Sequence, residues 1–300
     1  MIEWGSSYII ARTRELFVLT RRHFLIRLAG LPLLPLFPLS FPKIWAQAVA
    51  NTQALPEMPI GEMFAGEELS YDIAFWFLRK VAVAKMTFAR GNEKGCYVAT
   101  LRGETVGLVG FVTRYRTDTY RTVMEELDGG RRLRSLSFEE EVRIGEESRR
   151  STHTFDHKNR KWIEQNVRVS GATSTIEHDI PIGQDYNDFL TASYNFRYGV
   201  YGAVERGKTY SVPVFPKKDV TFYEVKIASK AEEDRQRKKG SVNDLSDYRI
   251  ELAMDPEVLR SKKGLIKGWL AKDLYPVEGV MEDVFLFGDV RGTLIKRAMG

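Results

Sequence analysis

From Glu67 onward the chain alternates apolar and polar residues. Leu69, Tyr71, Ile73, Phe75 and Phe77 are interleaved with Ser70, Asp72, Ala74 and Trp76. That period of two gives a strand one apolar face. Residues 81–88 read as its partner, and after the turn at 91–95 the segments 96–102 and 105–113 continue the pattern. Further strands are expected at 119–125 and, past the turn Asp128-Gly129-Gly130, at 131–144, 149–155, 161–169 and 173–180. The alternation then breaks. Asp185-Tyr186-Asn187-Asp188 supplies helix-capping residues ahead of Phe189, Leu190, Ser193, Tyr194 and Phe196 at helical spacing, which predicts one short helix over 188–197. Strands resume at 208–215, 221–229, 246–253, 265–271, 277–286 and 291–296. The charged run 231–243 reads as a solvated hairpin loop, and 49–65 as a lead-in without a period. The prediction is a single all-β, mostly antiparallel domain over 66–297, built as a curved sheet of half-barrel or barrel-like form.

Ahead of this domain the pattern changes in kind. Thr20-Arg21-Arg22-His23-Phe24-Leu25 fits the twin-arginine export pattern, carried by Arg21, Arg22, Phe24 and Leu25. The apolar stretch 28–42 that follows is shorter than the ~20 residues a spanning helix needs. It is also punctuated by Pro32, Pro35, Pro38 and Pro42, each of which removes a helix hydrogen bond. Lys43 lies just beyond it, and Ala46-Gln47-Ala48 supplies a small-x-small cleavage signature, with Ala48-Val49-Ala50 as an alternative. Residues 1–48 are therefore expected to be a cleaved twin-arginine signal. The expected export partners are the twin-arginine translocase and signal peptidase, and the expected location is the periplasm.

Charge changes the picture less than it first suggests. Of the formal +5, most belongs to residues 1–50, which hold six basic and two acidic side chains. The remainder carries 39 basic and 38 acidic residues, so steering of polyanions is not supported and no nucleic-acid partner is expected. Cys96 is the sole cysteine, which excludes an intramolecular disulfide and a thiolate metal cluster. In the alternating run G-C-Y-V-A-T it is expected to be a small buried strand residue.

Candidate chemistry is sparse. His153, His157 and His178 are the candidate metal ligands, since imidazoles suit Zn²⁺ or Cu²⁺ where they converge. The period of two places His153, Phe155 and His157 on one face, but residues 156–160 also read as a hairpin turn. Glu177, Asp179, Asp185 and Asp188 are candidates for a carboxylate pair in a hydrolase, although a helix cap accounts for Asp185 or Asp188 without catalysis. No nucleophile elbow, zinc-protease helix or phosphate-binding loop is present, and Gly107-Leu108-Val109-Gly110 reads as part of a strand with a bulge or a close sheet contact. No cofactor is expected. Aromatic residues are plentiful: Phe75, Trp76 and Phe77 are consecutive, and Tyr194, Phe196, Tyr198 and Tyr201 surround the end of the helix. They fill either a core or an apolar cleft between sheet and helix, for which Phe75, Trp76, Tyr194 and Phe196 are the candidate ligand contacts.

Five motifs occur in order: G-E-E-L-S-Y-D-I-A-F-W at 66–76, D-Y-N-D-F-L-T-A-S-Y-N-F-R at 185–197, G-K-T-Y-S-V-P-V at 207–214, G-W-L-A-K-D-L-Y-P-V at 268–277 and G-D-V-R-G-T-L at 288–294. Together they resemble the exported bacterial family called domain of unknown function 3108, over about residues 64–296. The resemblance implies an exported protein of a Gram-negative bacterium with a mostly antiparallel β fold, and it supplies no catalytic residues. The expectation is a non-enzymatic envelope protein that binds a hydrophobic ligand such as a lipid, or another envelope protein. The alternative is a periplasmic hydrolase or metal-dependent enzyme using the His and Asp groups.

Overall fold

The computed structural model describes residues 56–300, apart from 76, 218–219, 241, 255, 257–260 and 285–287. The signal-motif residues Arg21, Arg22, Phe24 and Leu25, the cleavage residues Ala46 and Ala48, and Trp76 lie outside the described residues.

Local alternation produces hairpins, and the hairpins add into one sheet. The first run comprises β1 (Glu68–Phe75), β2 (Leu78–Arg90), β3 (Cys96–Thr105), β4 (Thr117–Leu127), β5 (Arg132–Ile144), β6 (Glu147–Asp156), β7 (Lys161–Val167) and β8 (Thr173–Asp179). The second comprises β9 (Thr209–Lys217), β10 (Val220–Ile227), β11 (Tyr248–Ala253), β12 (Leu265–Leu270), β13 (Pro276–Val284) and β14 (Gly288–Ala298). All fourteen form one sheet in the order β8-β7-β6-β5-β4-β3-β2-β1-β14-β13-β12-β11-β10-β9. Its ladders are antiparallel, including the β1–β14 pair that joins the two runs at the sheet's centre. The fold is thus all-β and antiparallel, as the alternation predicts.

The chain leaves one edge at β8, crosses through helix α3 (Phe189–Tyr198), and re-enters at the opposite edge, β9. The two edges do not pair, so the sheet is curved and open. Its curvature brings Phe215 of β9 against Phe138, Phe155 and Trp162 of β5–β7, at ring-centroid distances of 5.9, 5.8 and 5.6 Å.

Helix α3 fills the inside of this curve. Leu190, Tyr194 and Tyr198 enter a core with Phe64, Phe88 and Met124, whereas Ala192 and Phe196 enter a second core with Tyr210 and Ile227. Asp188 caps the helix, its Oδ1 accepting from the N–H groups of Leu190 and Thr191 at 2.8 and 3.1 Å. Gly199 ends it in the left-handed region, at φ 94°, where glycine carries no Cβ penalty. The Asn195 amide grips the backbone of β5, accepting from Leu133 N–H and donating to Leu133 O, both at 2.8 Å.

Four expectations are corrected. Residues 107–112 form a helix, α2 (Gly107–Val112), rather than a strand, and it passes so near the end of β3 that a Cβ on Gly110 would stand 2.8 Å from Thr105 O. Residues 230–239 form helix α4 (Lys230–Lys239) rather than a loop. Ser229 and Glu232 make a reciprocal capping box, acidic residues occupy the first turn and basic residues the last, all of which favour a helix. The lead-in contains a short helix, α1 (Ile60–Phe64), that buries Ile60 and Phe64. Cys96 opens β3 and is half-buried rather than buried.

Candidate functional site

Register determines which side chains meet. Along β5 to β7 Phe138 pairs with His153 and His153 with Glu164, while along β6 to β8 Phe155 pairs with Trp162 and Trp162 with His178. Directly opposed residues of antiparallel strands share a face. The inner face of β5–β8 therefore presents Phe138, His153, Phe155, Trp162 and His178 together. Phe215 approaches from β9, 4.7 Å from the His153 ring. The resulting cleft has a volume of about 840 Å³ and is floored by Phe138, His153, Trp162, His178 and Phe215.

A polar stripe runs beside these rings. The His178 imidazole stacks on Trp162, with centroids 3.8 Å apart and planes 10° from parallel, and its Nε2 stands 3.6 Å from Glu164 Oε2. Glu164 also accepts from Asn166 Nδ2 at 2.7 Å. His153 Nε2 lies 3.2 Å from Ser151 Oγ. Arg149, Arg150 and Ser174 complete the polar margin. Such a surface can hold a flat apolar group on its rings while its margin hydrogen-bonds a polar or charged end.

The histidines and the candidate carboxylates Glu177, Asp179, Asp185 and Asp188 are not gathered into one site. His157 turns to the Ser135 carbonyl, with Nε2 to O at 2.6 Å, and stacks on Phe155. Burial, the largest influence on it, pushes its pKa below the usual histidine value, so the ring is neutral at pH 7. Asp185 pairs with Arg132 at 2.7 Å, which holds its carboxyl below the usual range. Asp188 is fully buried beneath α3. Glu177 and Asp179 both bind Lys161, at 2.9 and 2.8 Å. Among the described residues no three His, Cys, Asp or Glu side chains are arranged to hold a metal ion.

Three of the four candidate ligand contacts, Phe75, Tyr194 and Phe196, are placed elsewhere. Tyr194 packs on Phe88 and Phe64 in the first core, at 4.6 and 5.0 Å. Phe196 packs edge-on against Tyr210 in the second core. Phe75 ends β1, opposite Leu78 and Val290. None of these three lines the cleft. Sequence reasoning missed Phe138, Trp162 and Phe215. Trp162 lies in the strand expected at 161–169, but Phe215 reaches it only through the curvature of the sheet.

The model of the family described as protein of unknown function (DUF3108) matches residues 70–295. The chain belongs to this family. Among solved structures it is similar to a beta-barrel-like protein of domain of unknown function DUF1849 from Brucella abortus. That likeness has 11% sequence identity and a TM-score of 0.43, and covers 79% of this chain and 98% of the other. No curated protein matches the chain. The motif at 185–197, one of the five that together carry the DUF3108 resemblance, supplies the anchoring of α3 through Asp188, Asn195 and Arg197. Its Tyr186 and Phe189 pack behind the cleft floor with Phe138, and Asn187 O accepts from Phe215 N–H at 2.9 Å, so the motif supports the cleft as well as the helix.

Proposed function

We propose that this DUF3108 protein is an exported periplasmic binding protein, without catalysis of its own, whose aromatic cleft holds a hydrophobic ligand with a polar end. The observation that carries the reading is the cleft of about 840 Å³ on the inner face of β5–β8. Its size lies within the roughly 300–1,000 Å³ of small-molecule sites, and its make-up of rings with a few convergent polar groups is theirs too. An apolar group would lie on the ring surface that Phe138, His153, Trp162, His178 and Phe215 form together, and a polar end would meet Arg149, Glu164 or Asn166. A hydrolase reading finds less support, because Asp185 and Asp188 are engaged by Arg132 and by α3.

Protein recovered from the periplasm is expected to show, in native mass spectrometry, an added mass that extracts into organic solvent as lipid. Ser174→Trp, which fills the cleft margin from an exposed position, is expected to lower its occupancy at least about tenfold while leaving the β-sheet spectrum intact. Trp162→Ala is expected to do the same. A wild-type protein of clean apo mass, or an adduct indifferent to both substitutions, would remove the cleft from consideration.

Export rests on the twin-arginine pattern and has its own test. Replacing Arg21 and Arg22 together with Lys is expected to leave full-length precursor in the cytoplasm. Normal maturation of that variant would assign export to the general secretory route instead.

A further inference from the structure

At one end of the sheet the chain displays large apolar side chains that no strand alternation requires. Leu108, Phe111 and Val112, spaced i, i+3 and i+4, form the outward face of α2 and are 80, 70 and 72% exposed. Tyr115, just beyond the helix, and Phe77, at the tip of the β1–β2 hairpin, are exposed beside them. The two segments are neighbours, since Val106 N–H donates to Val81 O and Thr105 pairs with Ala82. Exposed apolar surface costs about 25 cal/mol per Å² relative to burial, so an assembled face of this kind marks a contact surface.

The display is rigid. A Cβ on Gly110 would stand 2.8 Å from Thr105 O, so only glycine lets α2 lie this close to β3. Thr113 Oγ1 donates to Val109 O at 2.8 Å and closes the helix end. Arg114 and Tyr115 both adopt left-handed backbone, and the adjoining loop is tied to the β5–β6 turn by Gly145 N–H to Arg114 O. The apolar face is thereby held outward.

Charge indicates what the face meets. Segments 75–81 and 106–116 contain Arg79, Lys80, Arg114 and Arg116 and no acidic residue. Arg116 is committed to Asp118 through a bidentate contact. Among the described residues Lys80 and Arg114 make 3.4 Å contacts to Asp72 and Glu147, at least one partner of each being exposed. Such pairs are worth little in water, and anionic headgroups can replace them. Apolar side chains with basic ones in the same two segments are the composition of an interfacial membrane contact. Among the described residues no helix is long and apolar enough to cross a bilayer, and six-residue α2 can only lie at its surface.

From these observations we infer that the α2 end of the sheet docks on a bilayer bearing anionic phospholipids, inserting Leu108, Phe111 and Phe77 into the headgroup–acyl boundary. The cleft runs out to Val142, Arg149 and Val169, at the strand ends that adjoin α2. A docked molecule would therefore turn that cleft toward the membrane, although docking does not depend on the cleft being filled.

The test reads depth at α2 itself, because the apolar stretch 28–42 could tether the full chain to vesicles and mislead a pelleting assay. In a Cys96→Ser background, an environment-sensitive fluorophore is attached at Leu108→Cys or, as a control in the β2–β3 turn at the other strand end, at Glu93→Cys. With vesicles of phosphatidylglycerol and phosphatidylcholine in equal parts, the label at 108 is expected to shift to the blue and to be quenched by brominated acyl chains, while that at 93 is not. Reversing Arg79, Lys80 and Arg114 to Glu is expected to weaken the response on the order of a hundredfold, at about fivefold for each basic side chain replaced. An unquenched label at 108 would overturn docking. So would a shift that needs no vesicles and grows with protein concentration, which would assign the face to a second copy of the chain.

Discussion

Replacing Asp188 by Ala is expected to destabilise the domain by about 4 kcal/mol, because the side chain is the junction of three elements. Its carboxylate is fully buried and accepts five hydrogen bonds. Oδ1 takes the N–H groups of Leu190 and Thr191, which caps α3. Oδ2 takes the hydroxyls of Thr122 on β4, Ser135 on β5 and Thr191 on α3, at 2.6, 2.7 and 2.7 Å. Truncation removes a cap worth about 1 kcal/mol and leaves buried donors without an acceptor, at about 1–3 kcal/mol each before they re-pair among themselves. Asp188→Asn keeps one oxygen but turns an NH₂ toward the hydroxyls, so it is expected to cost about half as much. Urea unfolding reads the change as a lower midpoint at unchanged slope. Hydrogen exchange should rise first in α3. A loss below about 1 kcal/mol for the alanine variant would mean that the hydroxyls find other partners and that the junction does not hold the helix.

The contrast between Asp188 and the cleft explains what the sequence could reveal. The cap was legible because a capping residue and the helix it serves are adjacent in the chain. Its tethers to Thr122 and Ser135 were not, being 66 and 53 residues away. Strands such as β1 and β5 were legible because apolar and polar residues alternate along much of each, although in β1 Leu69 alone is buried and the others are half-buried. Helix α2 broke the rule: its apolar residues face outward, so Gly107 to Thr113 read as a continuation of a strand. Helix α4 has almost no apolar residue to show a period. Its fully buried side chain, Glu233, is held by Arg206, and the sequence marks the helix through the Ser229–Glu232 capping box and the order of charges from its first turn to its last. The cleft was hidden for a different reason. Phe138, Trp162 and Phe215 meet through strand register and sheet curvature, whereas Tyr194 and Phe196 stand out in the sequence merely because they are close together.

Breaking the buried pair between Glu67 and Arg197 from one side only is expected to cost about 3–5 kcal/mol, whereas removing both partners should cost far less. Arg197 donates through Nη1 to Glu67 Oε2 at 2.7 Å and through Nη2 to Oε1 at 2.6 Å, and both side chains are almost wholly excluded from water. Burial, the largest influence on Arg197, opposes its charge, but the two Glu67 bonds more than offset it and raise the guanidinium pKa above its usual value. The guanidinium also lies over the rings of Phe64 and Tyr194, at 4.6 and 5.2 Å. Arg197→Met therefore leaves the carboxylate to Arg297 at 3.6 Å, and Glu67→Leu strands a cation among aromatic rings. The double variant Glu67→Leu/Arg197→Met leaves an apolar contact and is expected to fall within about 2 kcal/mol of the wild type, a coupling that a double-mutant cycle in urea would measure directly. Costs that add to within about 0.5 kcal/mol would show that the two charges do not support one another. The strength of the pair matters because of where it acts: Glu67 immediately precedes β1, the strand at which the two runs of the sheet join, and Arg197 lies in the last turn of α3. Together with Asp188 at the other end, it fixes the helix to the sheet at two points. Loss of the Glu67 tether alone should therefore loosen the C-terminal turn of α3 while its capped N-terminus stays protected from exchange.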